Sequence, residues 1–214
     1  LDEKRQREFT ENILRQADTL NHFVSALNQI EEIESGVMML RRSPIQMRDL
    51  LEEALVTVRP RFEERGLDLE RRFDDGADLP VQVDPEKIRQ VLVNILDNAL
   101  KLTPRGGRIR VSIERKAEVL EVGVHDTGPG ILPEYLEHVF ERFKQVDAAS
   151  GNHGGLGIGL SLVKSIVELH GGRAWAESPG RLSREGATEA PGTSLYFTIP
   201  LKTAHAEIPK RDAA

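Results

Sequence analysis

The apolar period of this chain changes at Ser35-Gly36, and that change decides most of what the chain can fold into. Before it, residues 1–35 contain no Pro and no Gly. Phe9, Ile13, Gln16, Leu20, Phe23, Leu27 and Ile30 recur at alternating steps of four and three, which places one seam along a single long helix, as in a coiled coil or helical hairpin. A seam of that length needs a cover. The next helical segment, 46–64, is shorter and leads elsewhere, so the expected partner is another helix upstream or a second subunit. An isolated surface helix attached to a globular body is the alternative.

Beyond Gly36, helical and strand patterns alternate. Ser43-Pro44 reads as the link into a helix carrying Met47, Leu50, Leu51, Ala54, Leu55 and Val58. Leu67 and Leu69 alternate with Asp68 and Glu70, a strand pattern that Val81-Gln82-Val83 repeats. Asp84-Pro85 starts a helix that runs to Leu102, because Asp accepts orphan N–H bonds and Pro at the first helical position loses none. Pro104, Gly106 and Gly107 turn the chain into strands 108–115 and 119–126, each with one buried face. A helix at 157–170 and strands at 173–177 and 194–199 follow. This order predicts an α/β two-layer sandwich, a mixed sheet with helices on one face, preceded by the long N-terminal helix. Residues 202–214 read as a disordered tail.

At 214 residues, with 39% hydrophobic and 30% charged side chains, the chain suits one compact domain plus an appendage, or two small domains. Its net charge of -6, with no block of basic residues, argues against general nucleic-acid binding. The absence of Cys removes disulfides, thiolate catalysis and cysteine metal clusters together, so a metal must sit on oxygen or imidazole. The six His are scattered without metal-ligand spacing. No apolar run approaches the roughly 18 residues of a membrane span. The chain opens at Leu1 rather than Met, which reads as a cut piece of a longer protein.

Three places are candidates for chemistry. Asn94, Asn98 and Lys101 share one face of the 85–102 helix. Asn is a poor mid-helix residue, yet an Asn amide oxygen is a hard ligand for Mg²⁺ and a lysine one turn on can meet phosphate. A solvated polar face would look the same. Asp126-Thr127-Gly128-Pro129-Gly130 follows directly on a strand. A carboxylate only accepts hydrogen bonds, which suits an exocyclic amine such as that of adenine, and the glycines allow a tight turn and close backbone approach. A structural turn with a surface Asp is the alternative. Gly154-Gly155-Leu156-Gly157-Ile158-Gly159-Leu160 opens the 157–170 helix, whose exposed N–H groups form an anion site. Between these, 141–153 reads as a cover anchored by Phe140 and Phe143, from which Arg142 and Lys144 either bring charge to phosphate or remain solvated.

In chain order, the run from Asn94 through Asn98 to Lys101, then Asp126-Thr127-Gly128-Pro129-Gly130, Phe140-Glu141-Arg142-Phe143 and Gly155-Leu156-Gly157-Ile158-Gly159-Leu160 resemble the N, G1, F and G2 boxes of sensor histidine kinases. Gly192-Thr193 resembles the closing G3-like element. The resemblance implies a Bergerat-type fold, with ATP and Mg²⁺ bound between helices and a flexible lid. It implies metal contacts at Asn98 and Asn94 and catalytic roles for Asn94, Lys101 and Arg142. It implies nucleotide contacts at Asn94, Asn98, Lys101, Asp126, Gly128, Gly130, Arg142, Lys144, Gly155, Leu156, Gly157, Gly159 and Leu160. It divides the chain into part of a dimerisation and phosphotransfer helix with linker at 1–40, an ATP-binding catalytic domain at 41–201 and the tail at 202–214. The partners implied are ATP, the phosphoacceptor histidine domain of the parent kinase, a response regulator and a second copy of the chain. The implied location is cytoplasmic, free or as part of a membrane-bound sensor.

Three departures stand out. Leu102 occupies a position where relatives often carry an aromatic that packs on adenine. The polar stretch 181–191 lengthens a turn that is short in many relatives and is expected to form an extended surface loop. No His followed by Glu or Asp and then Arg/Lys-Thr-Pro occurs, and His22 has no acidic neighbour, so the phosphoacceptor is expected outside this sequence. Chaperone and topoisomerase ATPases of the same superfamily resemble one another in a catalytic Glu where this chain has Asn94, which cannot serve as a base. A non-catalytic module that binds a protein partner through the 1–35 seam is the remaining alternative.

Overall fold

A computed structural model describes residues 3–144, 157–182 and 191–201. Helix α1 (Glu3–Glu34) is followed by β1 (Ser43–Gln46), α2 (Met47–Arg65), β2 (Asp68–Phe73), β3 (Pro80–Val83), α3 (Pro85–Leu102), β4 (Arg108–Lys116), β5 (Val119–Asp126), α4 (Gly159–Leu169), β6 (Ala174–Glu177) and β7 (Thr193–Pro200). The sequence-based element order holds, with one addition. Ser43-Pro44 is not only a link: it opens β1, which pairs antiparallel with β3 and sets Ile45 opposite Val81. Four residues, one of them Pro, are too short for an alternation to register, and the pairing partner lies far along the chain.

The main sheet runs β2-β4-β5-β7-β6, with β2 parallel to β4 and every other pair antiparallel. Ile109, Val111, Ile113, Leu120, Val122, Val124, Leu195, Phe197 and Ile199 pack with the apolar sides of α2, α3 and α4 in one core. The two-layer sandwich expected from the sequence is therefore present. Each fully buried Leu or Ile side chain in it contributes about 1.5–3 kcal/mol.

Asp84 caps α3 as its sequence implies: the side chain accepts from the Lys87 N–H at 3.2 Å, and Pro85 follows. Its second oxygen accepts from the Arg41 N–H at 2.9 Å, so the same carboxylate holds the chain leaving α1. Helix α4 begins at Gly159, two residues later than its pattern indicates, because Gly157 sits at φ +69° and cannot be helical.

The seam of α1 divides. Phe23, Leu27 and Ile30 pack against the core beside α4, and the Lys87 ammonium donates to Gln29 Oε1 at 2.9 Å. Part of the expected helical partner is thus α4 of the same chain. Farther toward the N-terminus the seam is open, with Phe9 68% exposed and Ile13 and Leu20 exposed as well.

Among the described residues the opposite face of the sheet carries no helix, yet Ser194, His125 and Tyr196 are buried there. Arg181 and Leu182 cross it, with the Arg181 guanidinium over the Tyr196 ring and Leu182 only 7% exposed. The expected surface loop therefore begins against the sheet, where the Arg181 N–H donates to Ser194 Oγ at 2.9 Å. Residues 183–190 and the expected tail at 202–214 lie outside the described residues.

Candidate functional site

Helix α3 buries Val91, Ile95, Leu96 and Ala99, which leaves Asn94 and Asn98 half-buried on another side and Lys101 exposed at its end. The start of α4 faces this polar side: a Cβ on Gly159 would stand 3.5 Å from Asn94 Oδ1. The first-turn N–H groups of α4, Gly159 and Leu160 among them, have no acceptor within their own helix and present the positive end of its dipole. Two amides and a lysine thus line one side of α3, and the N-terminus of α4 faces the first of them.

Strand β5 delivers Asp126 to the same end of the sheet. Its side chain, 3% exposed, accepts from the Gly128 N–H at 2.7 Å and the Thr193 N–H at 3.3 Å, both on Oδ1. Among the described residues no hydrogen bond reaches Oδ2. Burial pushes the carboxyl up to about 6, against the opposing pull of the two backbone donors. An amine from a ligand would meet a nearly desolvated acceptor, where a hydrogen bond is worth more than in water.

The glycines around Asp126 serve close packing. A Cβ on Gly128 would stand 2.7 Å from Asp126 Oδ1 and 3.0 Å from the Leu102 carbonyl oxygen, so only glycine lets this turn lie against the end of α3. Gly130, at φ +78°, is closed off by Pro191 and Ser178, and the Gly192 N–H donates to the Gly128 carbonyl at 3.0 Å. The turn after β5 is therefore locked to the start of β7.

The cover departs from its expected anchoring. Phe140 is buried, but Phe143 is 61% exposed at φ +62°, with its ring 6.4 Å from that of Phe23 on α1. The left-handed backbone at Phe143 turns the ring outward toward α1 rather than into the core. Arg142 forms an ion pair with Glu34 of α1, and Lys144 lies 3.7 Å from Glu141. Gly157 closes this segment, its carbonyl accepting from the Phe143 N–H at 3.0 Å. Gly155 and Leu156 lie outside the described residues.

The structure thus brings Asn94, Asn98, Lys101, Asp126, Gly128, Gly159 and Leu160 to one end of the core and draws Arg142 toward α1. Glu34 and Phe23 escaped sequence reasoning because nothing local couples them to a cover more than a hundred residues away. Among the described residues no cluster of His, Asp or Glu could hold a metal. The donor set that fits Mg²⁺ is the pair of amide oxygens, completed by oxygens of a ligand, since Mg²⁺ is commonly held by few protein groups plus substrate phosphates.

Residues 83–203 match the family described as histidine kinase-, DNA gyrase B-, and HSP90-like ATPase. The adaptive-response sensory kinase SasA of Synechococcus sp. (strain JA-3-3Ab) is 33% identical over 94% of this chain, which spans about half of that relative, 51% of its length. The structure of the mycobacterial sensor histidine kinase MprB superposes with a TM-score of 0.63 at 31% identity, covering 74% of this chain and 97% of that one. The histidine kinase ThkA, in a structure with the response regulator protein TrrA, gives a TM-score of 0.65 at 26% identity over 90% of this chain and 52% of that one.

Proposed function

Since the chain belongs to the histidine kinase-, DNA gyrase B-, and HSP90-like ATPases, and among them to the sensor histidine kinases, we propose that Asp126 reads the adenine of ATP while Asn94, Asn98 and Lys101 hold its phosphates and Mg²⁺. The observation that carries this reading is the buried Asp126 carboxylate with both backbone donors on Oδ1, which leaves Oδ2 to accept from the adenine amino group. The Gly128 turn lies against the Leu102 backbone, and at that position the side chain offers the base an apolar rather than an aromatic contact. Lys101 meets phosphate as a point charge, and the N–H groups at the start of α4 donate to its negative oxygens.

The reaction is transfer of the γ-phosphoryl group of ATP to a histidine nitrogen: the N–P bond forms as the bond to the bridging oxygen breaks. Charge remains spread over the transferring oxygens, so Lys101 and the α4 N–H groups act by position and electrostatics. Mg²⁺, when bound, supplies charge neutralisation across the phosphates. Arg142 joins them only after leaving Glu34. That exposed pair is worth about 0–1 kcal/mol, so the exchange costs little.

The receiving histidine lies outside these 214 residues, since no His here stands in the acceptor motif. Residues 1–40 belong to the dimerisation and phosphotransfer element and 41–201 to the catalytic unit. The open stripe of α1 supports pairing with a second copy, and the ThkA–TrrA structure supports a response regulator as the next acceptor. Among the described residues no helix is long and apolar enough to cross a membrane.

Calorimetric titration with a non-hydrolysable ATP analogue, with and without Mg²⁺, tests the reading. Binding strengthened by Mg²⁺ and weakened at least roughly tenfold by Asp126→Asn is expected, because the variant sets an amide dipole or donor against the adenine amine. No binding at millimolar analogue would retire the proposal. Radiolabel from ATP on a histidine of this chain alone would overturn the placement of the acceptor.

A further inference from the structure

The face of the sheet away from α2, α3 and α4 holds a buried imidazole. His125 precedes Asp126 on β5, and because neighbours along a strand point to opposite faces, its ring lies on the other side of the sheet. It is 2% exposed. The ring folds back over Gly123, where a Cβ would stand 2.8 Å from Nε2. Nε2 lies 2.9 Å from Ser112 Oγ on β4, and Nδ1 lies 2.8 Å from Ser194 Oγ on β7. Ser194 Oγ also accepts from the Arg181 N–H at 2.9 Å. The ring edge meets Tyr196 at 5.3 Å, and Tyr196 stacks on Trp175 at 5.0 Å.

A buried imidazole is costlier than an apolar side chain of the same volume unless both nitrogens are satisfied. Here both are, and by hydroxyls from the strands on either side. Burial, with Arg181 and Arg110 adding to it, lowers the His125 pKa to about 4, so the ring stays neutral and keeps one donor and one acceptor for the two serines.

The strand register makes this more than filling. His125 pairs with Ser194, and Asp126 pairs with Thr193. Adjacent residues of β5 therefore clamp adjacent residues of β7 through opposite faces: His125 on the Ser194 hydroxyl, Asp126 Oδ1 on the Thr193 N–H. Thr193 and Ser194 share a peptide, so a shift of one moves the other. The 3.3 Å bond to Asp126 is the longer of its two and the one with least slack.

We propose that His125 is a positioning residue for base selection: by fixing Ser194 it holds the Thr193 N–H on Asp126 Oδ1 and so keeps Oδ2 turned toward an amino group on the purine. This rests on the adenine-reading role of Asp126 given above. A triphosphate carrying a carbonyl in place of that amine, inosine triphosphate, is the comparison ligand, because it sets one acceptor against another.

The test measures affinities of the full chain for ATP and inosine triphosphate with Mg²⁺, alongside thermal unfolding. Wild type prefers ATP. His125→Leu and Ser194→Ala each cut the ATP-to-inosine ratio roughly tenfold, chiefly through ATP, and the double variant loses no more than either single one. His125→Asn, which keeps a polar atom near the place of Nδ1, restores most of the ratio. Gly123→Ala displaces the ring without removing it and mimics His125→Leu. Should His125→Leu fail to fold, Ser194→Ala and Gly123→Ala give the same reading. A ratio unchanged in these variants, with only the melting temperature lowered, would mean that His125 merely fills space and overturns the proposal. A wild-type ratio near one, or a ratio indifferent to Asp126→Asn, overturns the adenine reading and this proposal with it.

Discussion

At the scale of single residues, the Asp126 carboxyl links stability to ligand choice. Its pKa in the folded chain is raised from 3.8 to about 6, chiefly by burial. The folded state therefore holds the proton more tightly than the unfolded state. On this group's account stability is greatest below the unfolded value, falls as pH rises through the interval up to about 6, and then levels. Asp126→Asn keeps an oxygen for the Gly128 and Thr193 N–H groups and removes the buried charge. Denaturant unfolding is expected to show the variant more stable than wild type by roughly 1–3 kcal/mol at about pH 8, with the difference vanishing near pH 4. The same proton governs recognition. Once Asp126 is protonated it can donate to a carbonyl, so the preference for ATP over inosine triphosphate should collapse below about pH 6. Taking the ratio cancels the titration of the phosphates themselves. A ratio flat from neutral to mildly acidic pH would contradict the assignment.

Among the elements, α3 is the organising one. Its apolar side enters the core, its polar side carries both asparagines, and its N-cap Asp84 ties down the Arg41 backbone as well. A third bond meets this junction, for the Asp84 N–H donates to His170 Nε2 at 3.0 Å while His170 Nδ1 faces the Ile166 carbonyl at 2.8 Å. These partners hold the ring neutral with its proton on Nδ1, and burial lowers its pKa. Asp84→Ala should cost more than the ~1 kcal/mol of an ordinary cap, toward about 2 kcal/mol by urea unfolding, because two donors lose their acceptor. The cover is weaker. Phe143 rests on Phe23 and Arg142 on Glu34, both at the surface of α1. Glu34→Gln is expected to release Arg142 and raise affinity for the ATP analogue by up to about fivefold, the worth of an exposed ion pair, whereas Arg142→Gln, with no charge to bring, is expected to lower it. Calorimetry on the two variants distinguishes a restrained Arg142 from one that never reaches phosphate.

The whole molecule is a sheet with two differently employed faces. Helices α2, α3 and α4 cover one face and present the candidate site at its edge. The other face is closed by Arg181, Leu182, Tyr196 and Trp175 around His125. Among the described elements α1 reaches beyond this body, with Phe9, Ile13, Leu14, Leu20 and Val24 exposed along it. An uncovered apolar stripe of that kind marks an association surface. Sedimentation of the chain should therefore show a concentration-dependent dimer that Ile13→Glu combined with Leu20→Glu disrupts, while affinity for the nucleotide stays unchanged. A monomer at all concentrations would assign the stripe to another partner.

Hydrophobic period, capping and turn chemistry are local, and the sequence by itself determined what depends on them: the long first helix, the Asp84-Pro85 start of α3, the β4–β5 pair, the two-layer class and the order of the chemistry-bearing runs. Tertiary structure alone decided what depends on residues far apart in the chain. It set β1 against β3, laid the lower part of the α1 seam on α4, drew Arg142 to Glu34 and stretched the Thr193 N–H onto Asp126. Such contacts follow from strand register and from which surfaces remain uncovered after packing. Periodicity says which side of an element is apolar but not what will cover it. His125 illustrates the division: the sequence places it one residue from Asp126, and only the pairing of β4, β5 and β7 supplies the two hydroxyls that give its ring something to hold.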